Sequence, residues 1–284
     1  MTALADYFAT IPSAHRAAIL VGGIAFFWVL ESAAPAVRFE YSKWRHAFVN
    51  IFFTATTIVV NFSLAVLLLV ASEWASARGI GLLELAPGLP LALQTLVGLL
   101  LLDLLGAWLP HWVQHKTPLL WKLHLIHHSD THVDTTTANR HHPGESVVRF
   151  AFTAVAVVVI GTPLWMFFFY QALSVVLSQF NHANISMPAR LDRALSWVIV
   201  SPDMHKVHHH FVLPYTDSNY GNIFSVWDRL LGTFRSLDRG ALVYGIDTHM
   251  APAEHGGVGP LLTMPFRPKP SARAAAREGS PDAP

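Results

Sequence analysis

The chain contains a long apolar stretch without a charged side chain, residues 150–180: FAFTAVAVVVIGTPLWMFFFYQALSVVLSQF. As one straight helix this stretch would measure about 46 Å, whereas the hydrocarbon core of a bilayer is about 30 Å thick. Gly161, Thr162 and Pro163 lie near its centre, and proline removes a helix hydrogen bond. We therefore predict two half-length helices that form a hairpin and return the chain to the face it left.

Three further apolar segments precede this stretch, at residues 17–37, 47–72 and 85–110. The second carries no charge and is long enough to span with tilt. Glu31 interrupts the first, and Asp103 lies late in the third, where an intramembrane carboxylate is costly and tends to be functional. With 52% hydrophobic and 13% charged residues, the sequence predicts an all-α integral membrane protein with about four transmembrane helices or helical hairpins.

The charges of the loops predict which face each segment end occupies. Arg38, Lys43 and Arg45 follow the first apolar segment, whereas Arg78 is the one basic residue after the second. Because cytoplasmic loops carry an excess of basic residues, the first loop should be cytoplasmic. Following the segments in order places residues 111–149 and everything after 181 on the same face. We expect a cytoplasmic helical cap there.

Histidine is the most unusual component of the sequence, with 17 residues beside a net charge of +1 and no cysteine. Three clusters read HWVQH at 111–115, HLIHH at 124–128 and HKVHH at 205–209. A spacing of three or four residues places imidazoles on one helical face, where they can grip an ion. His141, His142 and His182 are candidates to complete the set, whereas His15, His46, His249 and His255 are expected to be ordinary surface or interfacial residues.

The number of imidazoles predicts how many ions bind. One transition ion accepts roughly four to six donors, whereas the three clusters and His182 offer nine imidazoles, so two ions fit better than one. Imidazole suits iron, zinc and copper alike, so the ligands do not name the metal. The sequence has no GxSxG or HExxH motif and no obvious water-activating carboxylate inside the clusters, which favours a redox metal over hydrolytic zinc.

Over about residues 95–235 the chain resembles the fatty acid hydroxylase and sterol desaturase superfamily. The resemblance rests on an ordered series of motifs: HWVQH, LWKLHLIHHSD, TTANRHHPGE, QFNHANI, SPDMHKVHHH and DSNYGNIFSVWDRLLGTF. The last motif contains no histidine and still matches. Within the superfamily, HHSD and WDRLLGTF look like alkylglycerol monooxygenases, while the His142-Pro143 pair looks more like sterol desaturases.

The resemblance implies specific site residues. The implied metal ligands are His111, His115, His124, His127, His128, His142, His182, His205, His208 and His209. Residues of the matching segment after the third cluster, Asp217, Asn219 and Asp228, would hydrogen-bond the outer ring nitrogens of the ligands, and Asp103, Glu145 and Asp203 could do likewise. The implied cofactors are two iron ions, with zinc possible in purified protein, and dioxygen is the implied co-substrate.

We accordingly predict a membrane oxygenase that hydroxylates or desaturates a lipid of the sterol, fatty acyl or alkylglycerol type. No donor domain is visible, so electrons should come from a separate protein, and no nucleic-acid partner is expected. The predicted regions are an N-terminal transmembrane region at 1–90, a fatty acid hydroxylase-like catalytic domain at 91–240 and a C-terminal extension at 241–284. The extension includes a basic, disordered tail from Phe266.

Two alternatives remain open from the residues alone. A histidine-rich membrane protein that binds or transports metal without redox catalysis would explain the clusters. It would not explain why they gather beyond the spans on one face, rather than along a pathway at mid-membrane depth. A redox-inactive homologue that only binds lipid is the second alternative.

Overall fold

The computed structural model of the protein describes residues 1–267, so the predicted basic tail lies outside the described residues except for Phe266 and Arg267. Over this range the chain forms helices and turns, with three isolated bridges and no β-strand. Its α-helices are α1 Thr2–Ala9, α2 Ser13–Ala33, α3 Lys43–Ser76, α4 Leu91–Asp103, α5 Leu109–Lys116, α6 Pro118–His128, α7 Pro143–Ile160, α8 Leu164–His182, α9 Ala189–Leu195, α10 Pro202–His208, α11 Val226–Leu230, α12 Pro252–His255 and α13 Val258–Thr263. The predicted all-helical class is confirmed.

Four helical segments within residues 1–267 are long and apolar enough to cross a membrane: α2, α3, α7 and the continuous helix Leu91–Lys116. The last consists of α4, a π-helical turn at Leu104–Trp108, and α5. Large apolar side chains point outward from these helices; Phe62 of α3, for example, is 82% exposed. Such exposure would be unfavourable in water and suits contact with lipid.

The longest apolar stretch folds as a hairpin that breaks at the predicted residues. α7 ends at Ile160, Gly161 adopts a left-handed conformation with φ +72°, and α8 begins at Leu164. The two helices have 18 and 19 residues, or about 27–29 Å each, and are longer than the predicted half-length helices. The reason is local: Pro143 occupies the first turn of α7, so that helix begins seven residues before the apolar stretch.

The tip of this hairpin packs against the loop between α3 and α4. A Cβ atom on Gly161 would lie 2.9 Å from both the carbonyl oxygen of Ile80 and the Cα of Gly81. The histidine clusters lie at the opposite ends of α7 and α8, because His142 precedes α7 and His182 ends α8. The hairpin therefore runs away from the histidines and back to them.

We expect Gly161→Ala to destabilise the protein. An alanine in the left-handed region costs about 1–2 kcal/mol, and its Cβ would also press on the backbone of residues 80–81. Gly88→Ala is the matched control, because a Cβ there meets no atom within 4 Å. Thermal unfolding in detergent should show a lower midpoint for Gly161→Ala than for Gly88→Ala, and equal midpoints would contradict the packing of the hairpin tip.

The residues that follow the helix Leu91–Lys116 and the α7–α8 hairpin, 117–142 and 183–267, are called the cap below. Glu31, near the end of α2, ties two of its loops together, because its carboxylate accepts hydrogen bonds from Thr135 N at 3.1 Å and Asn184 N at 3.0 Å. Lys43 of α3 pairs with the same carboxylate at 3.0 Å. The charge that interrupts the first apolar segment thus joins the N-terminal helices to the cap.

Candidate metal centre

Nine of the ten imidazoles predicted as ligands come together in two groups, each with its candidate ligand atoms within 4.8 Å of one another. Site A consists of His111, His115, His124, His128 and His208. Site B consists of His127, His182, His205 and His209. The two sites adjoin, since the rings of His128 and His209 stack with centroids 4.9 Å apart.

Each HxxHH cluster contributes its first and last histidines to one site and its middle histidine to the other. His124 and His128, which are one helical turn apart, belong to site A, whereas His127 belongs to site B. In the third cluster, the pair one turn apart belongs to site B, and His208 belongs to site A. Both clusters therefore contribute to both sites. This shared attachment fixes the distance between site A and site B.

The ring nitrogens of site B have the spacing of ligands around one ion. His182 Nε2 lies 3.0 Å from His205 Nε2, 3.2 Å from His127 Nε2 and 3.3 Å from His209 Nε2. Nitrogens that bind a common ion at about 2.0–2.1 Å lie roughly 3 Å from one another. A single ring hydrogen could not satisfy these four nitrogens together, whereas one cation at their centre would.

Site A contains buried ring nitrogens that need a partner. Nε2 of His111, His115 and His208 has no hydrogen-bond partner among the described residues, and His124 Nε2 lies 3.2 Å from His128 Nε2. Buried polar atoms are nearly always paired, because an unpaired one is costly. An ion bound by these lone pairs would remove that cost, so the donor set of site A also fits a transition metal.

Backbone carbonyls orient three of the candidate ligands. Nδ1 of His111 donates to Tyr220 O at 2.8 Å, Nδ1 of His182 donates to Ser178 O at 2.7 Å, and Nδ1 of His208 donates to Ser218 O. A carbonyl can only accept, so Nδ1 carries the hydrogen and the lone pair of Nε2 is free for an ion. The loop at 218–220 thereby sets the tautomer of two imidazoles of site A, His111 and His208.

Two of the predicted acidic residues face an imidazole directly. Glu145 Oε1 accepts a hydrogen bond from His124 Nδ1 at 2.8 Å, and both side chains are buried. Asp217 Oδ1 lies 3.8 Å from His115 Nδ1 and also contacts Lys116 and the hydroxyl of Tyr220. A carboxylate on the outer nitrogen of a ligand fixes the ring and raises its basicity.

Two other predicted residues hold the backbone that carries the orienting carbonyls. Asp228 accepts from Trp108 Nε1 at 3.0 Å, Tyr220 N at 2.8 Å and Gly221 N at 2.9 Å. Asn219, with φ +50°, donates to Met204 O at 2.8 Å and accepts from the backbone N–H of Arg235 at 2.8 Å. Both residues therefore act on the imidazoles of site A through the 218–221 loop.

Asp103 and Asp203 lie farther from the imidazoles. Asp103 accepts hydrogen bonds from Ile223 N at 3.1 Å and Phe224 N at 3.0 Å, which ties the cap to α4. Asp203 pairs with Arg239 at 2.6 Å near the surface. Within residues 1–267 neither carboxylate has a hydrogen bond to a histidine ring.

His142 lies outside both sites. Its Nδ1 accepts a hydrogen bond from Gly144 N at 3.0 Å, so this imidazole caps the start of α7. Its neighbour His141 lies closer to the centre: the ring centroid is 5.1 Å from that of His127, and Nε2 is 3.8 Å from Glu145 Oε1. His141 nevertheless belongs to neither group.

Burial favours the neutral form of the clustered imidazoles in the cap. Burial, reinforced by the neighbouring imidazoles, lowers the pKa well below the usual histidine value at His124, His127, His128, His205 and His209. Burial lowers the pKa of His208 to about 3. Because only a deprotonated ring nitrogen can bind a metal, these residues are available as ligands without proton release.

The structure reveals one important histidine that the sequence analysis assigned to the surface. His46 is only 9% exposed, and its Nε2 lies 2.9 Å from both oxygens of Asp130 while its Nδ1 lies 3.1 Å from Asp134. Asp130 is the last residue of the HHSD motif that ends the second cluster. A charged residue two positions after the His127-His128 pair was the available signal, but its partner His46 on α3 is distant in sequence.

Arg140 extends this network beneath the second cluster. Its guanidinium is buried and donates to Ile126 O at 3.0 Å, Ser129 Oγ at 3.2 Å and Asn50 Oδ1 at 3.1 Å. Ile126 and Ser129 flank the His127-His128 pair. The polar side chains of α3 and the cap therefore fix the end of α6 that contributes imidazoles to both sites.

We expect His46→Ala to destabilise the fold strongly. The substitution leaves the buried carboxylates of Asp130 and Asp134 without their shared partner, and breaking a buried ion pair costs about 3–5 kcal/mol. The measurement is the midpoint of thermal unfolding in detergent, with His15→Ala as control because His15 is exposed. If the two variants unfold together, the His46 network does not stabilise the cap.

Comparison with known proteins shows which family this chain is similar to. Residues 95–233 match the family model described as fatty acid hydroxylase. The chain is 29% identical to ornithine lipid hydroxylase OlsE of Rhizobium tropici over 150 residues, which cover 53% of this chain and 44% of that protein. It is 28% identical to alkylglycerol monooxygenase of Xenopus tropicalis over 149 residues, covering 49% and 30% respectively.

A third relative, a cholesterol 25-hydroxylase-like protein of Danio rerio, is 26% identical over 157 residues, which cover 55% of this chain and 61% of that protein. The chain therefore spans less than two thirds of the length of each of these relatives. No solved structure shows a significant similarity to it. The family match begins within α4, so α2 and α3, which hold the cap through Glu31 and His46, lie outside it.

Proposed function

We propose, on the premise that this chain belongs to the fatty acid hydroxylase family through residues 95–233, that it is a membrane-bound di-iron oxygenase that hydroxylates or desaturates a lipid. One observation carries the proposal: nine buried or nearly buried imidazoles converge in two adjoining groups at the end of membrane-length helices. A protein without metal would gain nothing from packing nine neutral imidazoles with unpaired nitrogens together.

Iron is the metal that fits both the donors and the family. Neutral imidazoles accept iron, zinc or copper, but the relatives are named hydroxylases and a monooxygenase, and zinc has no redox chemistry. We propose one iron ion in site A and one in site B, held by the nine histidines of the two groups, with His142 outside the ligand set. When bound, the ions would supply the dioxygen activation that cleavage of an unactivated C–H bond needs.

The side chains around the two sites have separate tasks. Glu145 and the carbonyls of Tyr220, Ser218 and Ser178 keep the hydrogens of four rings on Nδ1, so that each Nε2 faces its site. Trp121 forms an apolar wall beside site A, with its ring centroid 4.8 Å from that of His115. Burial of both groups excludes bulk water from the place where a reactive oxidant would form.

The substrate class follows from the relatives and the membrane helices. An ornithine lipid, an alkylglycerol and cholesterol, the molecules named in the relatives, share an apolar body that resides in a bilayer. We propose that a lipid of this kind enters from the bilayer beside the spans and that electrons come from a separate protein. The basic residues between the end of α2 and the first turn of α3, Arg38, Lys43 and Arg45, support a multi-pass topology with the cap on the cytoplasmic face.

Isotopically labelled dioxygen tests this function. The protein, reconstituted in lipid nanodiscs with ferrous iron and a chemical reductant, should consume dioxygen and yield either a lipid that carries labelled oxygen or a lipid that has lost two hydrogens. The first product indicates hydroxylation and the second indicates desaturation. Bound iron with neither product, across sterol, acyl and alkylglycerol substrates, would contradict the proposal, and bound zinc or copper without dioxygen uptake would favour a metal-handling protein.

A further inference from the structure

A surface outside the candidate spans exposes large apolar side chains. It consists of Trp197, Val198, Leu230 and Leu231, which are 65%, 64%, 70% and 50% exposed, and is called the Trp197 surface. Its two halves are joined by Arg229, whose guanidinium lies 4.1 Å from the Trp197 ring centroid and donates to Ser196 O at 2.8 Å. Arg229 thereby places the segment that carries Leu230 and Leu231 next to the segment that carries Trp197 and Val198, and we treat the two segments as one patch.

Hydrogen bonds tie this patch to the interior of a membrane-length helix. Val198 O accepts from Ser225 N at 3.3 Å, and the preceding residues Ile223 and Phe224 donate their backbone N–H groups to Asp103 at 3.1 and 3.0 Å. Asp103 precedes His111 by eight residues in the helix Leu91–Lys116, or about 12 Å along the helix axis. The patch is thus attached to this helix farther from its cap end than the metal centre is.

A second set of contacts places the segment behind the patch at the same depth along the helices. Ile223 packs in the apolar cluster that contains Leu102 of α4 and Ile160 of α7, and Asn222 donates to Ser174 Oγ, midway along α8, at 2.7 Å. A helix that crosses a core of about 30 Å uses about 20 residues. If the core begins near Leu91, Asp103 and the segment packed on it lie within the membrane boundary on the cap side.

The exposed charges around the patch are positive. Arg190 and Arg193 of α9 are exposed and Arg229 is half-buried. Two neighbouring carboxylates are buried and engaged internally: Asp192 accepts from Ser201 Oγ at 2.7 Å, and Asp228 holds the 220–221 backbone. A third, Asp203, is partly exposed and is paired with Arg239. Arginines combined with exposed tryptophan and leucine are typical of surfaces that lie in the interfacial layer of a bilayer, where anionic headgroups meet the acyl chains.

We propose that the Trp197 surface inserts into the interfacial layer of the bilayer on the cap side, with Arg190, Arg193 and Arg229 on anionic lipid headgroups. The inference rests on the membrane insertion proposed above and is independent of the oxygenase chemistry. It makes the cap a partly membrane-embedded structure. A lipid could then reach the metal centre from the bilayer without crossing water.

Site-specific fluorescence tests the inference, because the chain has no native cysteine. Val198→Cys and Leu230→Cys are each labelled with an environment-sensitive dye in nanodiscs of phosphatidylcholine and phosphatidylglycerol. Phe62→Cys on α3 reports the lipid environment, and Thr248→Cys, on an exposed cap loop, reports water. Labels at residues 198 and 230 should be quenched by nitroxide-bearing lipids, as at 62, and should resist aqueous iodide, unlike the label at 248.

Each other outcome has a distinct meaning. Iodide quenching at 198 and 230 equal to that at 248, with lipid quenching kept at 62, would overturn the inference and leave the membrane proposal standing. Loss of lipid quenching at 62 would contradict membrane insertion itself. Protection from both quenchers at 198 and 230 would indicate a protein partner or a second copy and would also overturn the inference.

The headgroup contact has its own test. Replacing phosphatidylglycerol with phosphatidylcholine should weaken lipid quenching at residue 230, and the double substitution Arg190→Gln with Arg193→Gln should remove that dependence on anionic lipid. Unchanged quenching in the neutral nanodisc would overturn the role assigned to the arginines.

Discussion

His208→Ala should abolish lipid oxidation, with a loss of at least about 100-fold, and should remove the ion of site A. Changes to groups that merely orient a ligand already cost 10–100-fold in metal affinity or activity, and His208 is itself one of the five imidazoles of that site. His127→Ala should have the same effect on activity through site B, because His127 belongs to the other group. Product analysis by mass spectrometry and metal analysis of the purified variants measure the two effects.

His15→Ala is the control for both substitutions, since His15 is exposed and belongs to neither group. Both ligand variants should remain in the membrane fraction, because the spans do not depend on a single imidazole. Full oxidation by either variant would refute the assignment of that residue as a ligand. Loss of activity with unchanged metal content would show that the residue is needed for activity but does not bind the ion.

Glu145→Ala should weaken metal binding at site A by about 10–100-fold. The carboxylate of Glu145 holds His124 through Nδ1 at 2.8 Å in a fully buried pair, so its removal frees the ring to rotate and to change tautomer. Glu145→Gln keeps an acceptor oxygen for the same N–H and should lose less affinity. Competition with a chelator of known affinity measures the change.

Asp203→Ala is the matched control for Glu145→Ala, because Asp203 is an acidic residue of the cap that pairs with Arg239 instead of a histidine. Its metal affinity should stay close to that of the unchanged protein. Equal affinities for Glu145→Ala and Asp203→Ala would show that the Glu145 hydrogen bond does not orient a ligand. A parallel loss in Glu145→Gln and Glu145→Ala would indicate that the negative charge matters more than the acceptor.

Features with a local physical cause could be predicted from the sequence. The hairpin breaks at Gly161–Pro163 because Gly161 takes a left-handed conformation that ends α7, and Pro163 has no backbone N–H to continue the helix. The start of α7 was misplaced because its first turn is polar, so the apolar pattern begins later than the helix. Spacing within a cluster also predicted which imidazoles share a helical face, but metal binding itself stays a prediction.

Features that depend on long-range packing could not be predicted. The division of each HxxHH cluster between sites A and B depends on how the folded chain brings together imidazoles from α5, α6, α8 and the end of α10. His46 and Glu31 look like isolated polar residues in sequence, yet they bind loops about 85 to 150 residues away. His142 illustrates the opposite case, since a motif suggested a ligand and the folded chain uses the imidazole to cap α7.

The central claim is that nine imidazoles hold two iron ions, one in each group. Its most direct test is the iron content of the protein purified without oxygen from iron-replete cells, compared with His208→Ala and His127→Ala. The account predicts two iron ions per chain in the unchanged protein, with His208→Ala losing the ion of site A and His127→Ala losing that of site B. Protein that binds no iron under these conditions, or iron content that neither substitution changes, would contradict it.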